Sequence, residues 1–265
     1  MRILLLLLLL ATGPAFAADA AKGVWPQGKA FAVSLTYDDG LESQFLNASL
    51  DLDQRGLKAT FFPTGNSAYV SANAEAWAAL AAKGHELGSH TMLHACGGAI
   101  GKSFLSPKDF LEAYDEARMA KELDASIAFL RGLGAQGPLT LAYPCGQTWV
   151  GEGRISYVPL VQERFRAARG VNSQVADPLT VDLYNTPGWD ASGRTAANLL
   201  QIVDMARKKG GWLILMFHGV GGEHLSVDTD AHAALLDALQ ADPQAWTAPF
   251  GKVADWVGKL QAKQR

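Results

Sequence analysis

The fold class that this chain predicts is a single α/β domain, with a parallel sheet covered by helices. Three observations carry that reading. Short apolar runs alternate with helical patterns from residue 31 onward, no linker or internal repeat divides the chain, and polar outliers recur at strand ends. At 265 residues the chain suits one large α/β unit behind a short leader.

The leader comes first. Met1-Arg2, the apolar run Ile3 to Leu10 and Ala15-Phe16-Ala17 make a basic start, an apolar core and a small-x-small cleavage site. They read as a secretory signal peptide over residues 1–17, cut after Ala17. It is too short for a stable membrane anchor, and no later run reaches membrane length. The expected product is periplasmic or secreted. Residues 18–29 read as a polar lead-in, and 30–265 as the domain.

Phe31 to Thr36 is a buried strand that closes on Tyr37-Asp38-Asp39-Gly40. Ser43 to Arg55 places Phe45, Leu46 and Leu50 at helical spacing, stopped by Gly56. Lys58 to Phe62 is a second strand, and Ser71 to Lys83 a helix ended by Gly84. His85 to Ser89 is a third strand that delivers His90. Ser106-Pro107-Lys108-Asp109 offers a helix start, continued through Leu123, Ile127 and Leu130 to Gly132. Leu139 to Tyr143, Phe165 to Val171 and Leu179 to Tyr184 read as strands four to six. Thr195 to Lys209 is a helix with Leu199, Ile202, Val203 and Ala206 inward. Trp212 to Phe217 is a buried strand ending in His218, and helices over about 229–240 and 248–262 close the chain.

Composition excludes some partners. The net charge is −3 and Lys and Arg do not cluster, which argues against nucleic acid and anionic membrane surfaces. Two cysteines cannot build a disulfide scaffold, although an oxidising compartment allows one bridge.

Asp38 and Asp39 are adjacent carboxylates at a strand end, where a cation or a shared proton relieves their repulsion. An Asp-Gly turn alone would look the same. What distinguishes this pair is downstream: His90 and His94, four apart, and then His218. On one helical turn the His90–His94 spacing puts both imidazoles on one side. With one carboxylate they form a set that leaves positions open for water and substrate, as catalytic zinc and non-haem iron sites do. His85 starts its strand and reads as structural. His224 and His232 read as solvated. Arg207-Lys208-Lys209 reads as a basic helix end that the helix dipole favours.

Five short stretches resemble the motifs of the polysaccharide deacetylases with a NodB-homology domain, carbohydrate esterase family 4. They are Thr36-Tyr37-Asp38-Asp39-Gly40, His90-Thr91-Met92-Leu93-His94, Ala142-Tyr143-Pro144-Cys145-Gly146, Trp189, and Leu215-Met216-Phe217-His218, in the family's order. The resemblance implies a distorted (β/α) barrel of about seven parallel strands. It implies that Asp39, His90 and His94 hold one divalent ion, Zn²⁺ first and Co²⁺ as an alternative. Asp38 is then the general base and His218 the general acid, with the Cys145 backbone N–H on the oxyanion. Tyr143, Trp189 and Met216 would meet the substrate, and Trp149 with Trp189 could form a sugar platform. The implied activity is deacetylation of an N-acetylated oligo- or polysaccharide, such as a chitin, peptidoglycan or exopolysaccharide unit. An O-acetyl esterase acting on xylan and a non-catalytic carbohydrate binder are the alternatives.

The chain departs from the family pattern at Ala142, where the family usually has an Arg that tethers the base, and at Cys145, where an aromatic is common. Its fourth motif lacks the usual Asp before Trp189. If strands four and five are neighbours, Arg169 ends the strand beside Ala142 and can orient Asp38 from the side; a surface Arg at a strand end is the alternative. Cys96 lies two residues past His94 and Cys145 in the loop after strand four, which places both on the same rim and makes them candidates for a bridge.

Overall fold

The computed structural model describes residues 23–264; the expected signal peptide lies outside them. Ten strands run in chain order: β1 Phe31–Asp39, β2 Thr60–Pro63, β3 Glu86–Leu87, β4 Thr140–Ala142, β5 Trp149–Val150, β6 Ile155–Ser156, β7 Ala167–Arg169, β8 Trp189–Asp190, β9 Trp212–Phe217 and β10 Ala245–Thr247. The helices are α1 Ser49–Gln54, α2 Ala68–Ala72, α3 Ala74–Ala82, α4 Gly98–Gly101, α5 Glu116–Gly132, α6 Val158–Arg164, α7 Ala196–Lys209, α8 Thr229–Ala241 and α9 Phe250–Ala262.

β1 is the centre because both its faces are apolar or small and buried, so it can be flanked and covered on all sides. It pairs in parallel with β2, β9 and, at its start, β10. β3 extends the sheet beyond β2, and β8 beyond β9. β4 and β7 form a second parallel ladder. Single bridges, Ser89 to Leu141 and Arg169 to Thr186, join the two ladders edge to edge. The parallel segments therefore follow the cyclic order β1, β2, β3, β4, β7, β8, β9, although continuous ladders do not encircle the chain.

Strand alternation divides the interior in two. Phe31, Val33, Leu35 and Tyr37 join the larger core with α3, α7 and α8 residues such as Trp77, Leu199 and Leu235. Ala32 faces the other way, into a cluster with Phe62, Ala142, Trp212, Ile214 and Phe250. With a period of two, Ser34, Thr36 and Asp38 share that second face. Small residues there leave room for these large aromatics and, at the top, for Arg169.

Four expected elements differ. Leu179 to Tyr184 is not a strand: the side chains of Asp177 and Asp182 accept from the backbone N–H of Leu179 (2.9 Å) and Tyr184 (2.8 Å), which makes turns instead. The helix expected from Ser106 forms only two short 3₁₀ turns, and α5 starts after its cap Asp115, whose side chain accepts from Arg118 N at 2.7 Å. The helix expected from Ser71 breaks at Asn73 into α2 and α3. Leu46 and Leu50 are exposed, because a π-turn over Gln44–Ala48 rotates the face so that Gln44, Ala48 and Leu52 go inward.

Candidate active site

β1, β7, β9 and the segment after β3 end at one rim and deliver Asp38 with Asp39, Arg169, His218 and His90 there. Asp38 is 2% exposed and Arg169 0%. Arg169 Nη2 stands 2.5 Å from both Asp38 carboxylate oxygens. Nη1 of the same guanidinium donates to Gly170 O at 3.0 Å and lies 2.9 Å from Met216 Sδ. Gly188 makes the room: a Cβ there would sit 2.5 Å from Gly170 O and 3.1 Å from Arg169 Cδ. Burial on its own would raise the Asp38 carboxyl, but Arg169, His90 and His218 hold it below the ordinary carboxylate range.

Alternation would send Asp39 to the apolar face of Tyr37, and its φ of 78° breaks that alternation. Its Oδ1 lies 3.5 Å from His90 Nε2 and 3.5 Å from His94 Nε2. The two histidines do not share a helical turn. They flank a loop in which Thr91 (φ 61°) and His94 (φ 52°) are left-handed. Three bonds hold that loop: Ser89 Oγ accepts from Thr91 N (3.0 Å), Thr91 Oγ1 from His94 N (3.1 Å) and Glu122 Oε1 from Leu93 N (2.7 Å). The imidazoles still meet, with ring centroids 4.6 Å apart.

The donor atoms of Asp39, His90 and His94 all lie within 4.8 Å of one another. His90 Nδ1 is 2.8 Å from Ala142 O, a bond only a protonated Nδ1 can make, so Nε2 is the nitrogen left to face a cation. Burial, together with the nearby His90, lowers His94 to about 4, so it is neutral at neutral pH. Burial would raise Asp39, but a hydrogen bond from His224 and the nearby His90 and His94 rings hold its carboxyl low. One imidazole anchored from behind, a second that is neutral at neutral pH and an ionised carboxylate fit a divalent cation.

His218 follows β9 and is 9% exposed. Its Nδ1 is buried with no partner among the described residues. Burial lowers its pKa in spite of Asp38 and Asp39 nearby. Gln44, which the sequence reading passed over, donates from Nε2 to the backbone carbonyls of both Asp38 and His218, the latter at 3.1 Å.

Cys96 and Cys145 are joined by a disulfide. Cys145 has a φ of 54° inside the turn Pro144–Gly146. That turn's bonds run from Gly146 N to Tyr143 O and from Gln147 N to Pro144 O, and Cys145 N–H is left out of them. The Tyr143 side chain does not reach the site. Alternation on β4 sends it to the larger core, against Tyr157, with its hydroxyl on Tyr184 O at 2.8 Å. Met216 is buried beside Arg169, and Trp189 is half buried, with Nε1 lacking a partner among the described residues. Trp149 packs under Arg154 at 4.9 Å, on a hairpin.

Two histidines read as solvated are bonded. His232 is fully buried on α8, between Tyr37 OH (2.8 Å) and Asp51 (3.2 Å). Its spacing from Leu235, Leu236 and Leu239 was the missed signal. His224 Nε2 lies 2.7 Å from Asp39 Oδ2, and no sequence pattern points to it. His85 bonds Asp53 (3.2 Å) well away from the site, a structural placement.

Residues 26–150 match the family model for polysaccharide deacetylase. Over that stretch, a little under half of the chain, the sequence is similar to the polysaccharide deacetylase family. The family stretch contains Asp38, Asp39, His90, His94 and Cys145, while Arg169 and His218 come from outside it. A Bacillus protein described as gellan lyase is 31% identical over 152 residues, 57% of this chain, and the chain spans about 5% of that protein's length. Two solved structures share the fold. A Mycobacterium smegmatis structure assigned as a polysaccharide deacetylase superposes with a TM-score of 0.63 at 19% identity, covering 89% of this chain and 93% of the other. The Bacillus subtilis peptidoglycan deacetylase PdaC does so with 0.57 at 17% identity, covering 88% and 95%.

Proposed function

We propose that this chain is a metal-dependent deacetylase of N-acetylated carbohydrate, periplasmic or secreted, with residues 30–265 as the working domain behind a signal peptide. One observation carries the reading: Asp38 stands beside the Asp39–His90–His94 donor set but is tied to Arg169 rather than turned into that set. A carboxylate so held can accept a proton, while its neighbour serves as a ligand.

Asp39 Oδ1, His90 Nε2 and His94 Nε2 would hold Zn²⁺, whose chemistry here is to polarise the acetyl carbonyl and acidify the attacking water. Asp38 takes the proton of that water, and Arg169 keeps it ionised and aimed. Cys145 N–H, free of the turn's own bonds, donates to the oxygen that becomes negative. His218, neutral at rest because burial lowers its pKa, takes up a proton as Asp38 releases the one it gained, and delivers it to the leaving nitrogen. Met216 and Trp189 bound the space for the acetyl methyl.

The test is acetate release from chitooligosaccharides, peptidoglycan fragments and acetylated xylan, before and after chelation. Release from the N-acetylated substrates that chelator abolishes and Zn²⁺ or Co²⁺ restores is the expected outcome. Full activity in metal-free protein overturns the metal, and release from xylan alone reassigns the substrate to an ester.

A further inference from the structure

None of the steps above uses His224, yet this half-exposed side chain touches a proposed ligand. We infer that His224 is a positioning residue for the cation site: it donates from Nε2 to Asp39 Oδ2 and thereby reserves Asp39 Oδ1 for the cation. This rests on the metal reading above.

The two oxygens of Asp39 have different surroundings. Oδ1 faces both ligand imidazoles at 3.5 Å, while Oδ2 faces His224 at 2.7 Å. The mutually close donor set comprises Asp39, His90 and His94, and His224 is not part of it. It approaches from behind the carboxylate, where a hydrogen bond fixes the ligand without adding one. An untethered carboxylate can rotate between one-oxygen and two-oxygen contact with an ion; tying Oδ2 removes that freedom.

The loop that presents His224 is built for it. Glu223 (φ 54°) and Leu225 (φ 48°), on either side, are both left-handed, a conformation non-glycine residues seldom take without compensation. The Glu223 carboxylate supplies some: it accepts from Ser43 N at 3.0 Å and from Ser43 Oγ. Ser43 Oγ also accepts from Val220 N at 3.0 Å. At the loop's base Gly219 N donates to His224 O at 3.3 Å, and a Cβ on Gly219 would fall 1.8 Å from Gly222 O, so the turn folds tightly on itself. A solvated histidine would need none of this.

The experiment measures Zn²⁺ affinity of the full chain by competition with a chromophoric chelator, for wild type, His224→Ala and His224→Gln. Loss of such an outer partner costs about 10–100-fold in metal affinity. His224→Ala should weaken Zn²⁺ binding by that factor, and His224→Gln, which keeps an N–H near the Nε2 position, should return it close to wild type. Equal affinity in wild type and His224→Ala overturns the inference. So does a Gln variant as weak as Ala, which would mean that His224 acts as a ligand. Metal-free thermal unfolding should coincide in all three; a lower midpoint for His224→Ala alone would mark a merely structural role and overturn the inference too. Failure of the wild type itself to bind Zn²⁺ removes the metal reading, an outcome visible before any variant is compared.

Discussion

Ala142 and Arg169 are register partners in the β4–β7 ladder. The family pattern expects a base-tethering Arg at position 142, and this chain supplies the guanidinium one strand over. Adjacent strands are about 5 Å apart, well within an arginine's reach, and Nη2 arrives at 2.5 Å from both Asp38 oxygens. The exchange requires a small residue at 142, which Ala provides.

Replacing Arg169 tests that exchange. Arg169→Met leaves Asp38 buried without its cation, which costs about 3–5 kcal/mol of stability in urea unfolding. The Asp38 pKa, now held low, should rise, so the acid limb of kcat/KM moves to higher pH. The sign for stability agrees: a depressed carboxyl stabilises above the ordinary carboxylate range and loses that contribution as pH falls through its folded value. Adding Ala142→Arg should recover part of both effects. An unmoved acid limb would sink the assignment.

The acidic pair separates by metal content. Asp38→Asn should keep Zn²⁺ and lose about 10²–10⁴-fold in turnover, the usual cost of a missing general base. Asp39→Asn should lose the ion. Equal metal content in the two variants contradicts the division of roles.

The disulfide closes a loop of sequence separation 49. Chain entropy predicts about 4 kcal/mol of stabilisation for that length. Cys96→Ser with Cys145→Ser should lower the unfolding midpoint accordingly and weaken Zn²⁺ binding through the freed His94 loop. A double variant as stable as wild type rules this out.

Alkaline pH should unfold the protein early. Burial raises the phenols of Tyr37, Tyr114, Tyr143 and Tyr157 above their ordinary value. A raised folded pKa stabilises fully below the unfolded value of about 10 and loses that contribution as pH climbs beyond it. Denaturant midpoints should be flat to about pH 9.5 and then fall. A flat profile through pH 11 would contradict the burial of these hydroxyls.

β1 and β9 were legible because both are continuous apolar runs, and only a fully buried strand accounts for those. α7 was legible from its inward Leu199, Ile202, Val203 and Ala206, all of which are buried. Leu179, Val181 and Leu183 alternate like a strand, but Asp177 and Asp182 offer the backbone a nearer partner, and pattern alone does not weigh that competition. The spacing of His90 and His94 was right for the wrong reason: two left-handed residues bring the rings together where a helix was expected. His224 was invisible because it acts across 185 residues of chain, and Gln44 because its bond to His218 spans 174.

The Gln44 amide has a mechanical meaning. Asp38 lies next to the end of β1 and His218 follows β9, so the proposed proton acceptor and the proposed proton donor ride on two paired strands. One side-chain nitrogen grips the carbonyls of both. Any sliding of one strand past the other must first break that grip. The gap between acceptor and donor is therefore set as by a gauge, in backbone rather than in rotamers. On the proposed roles, a scissile group must fit a gap that the backbone presets.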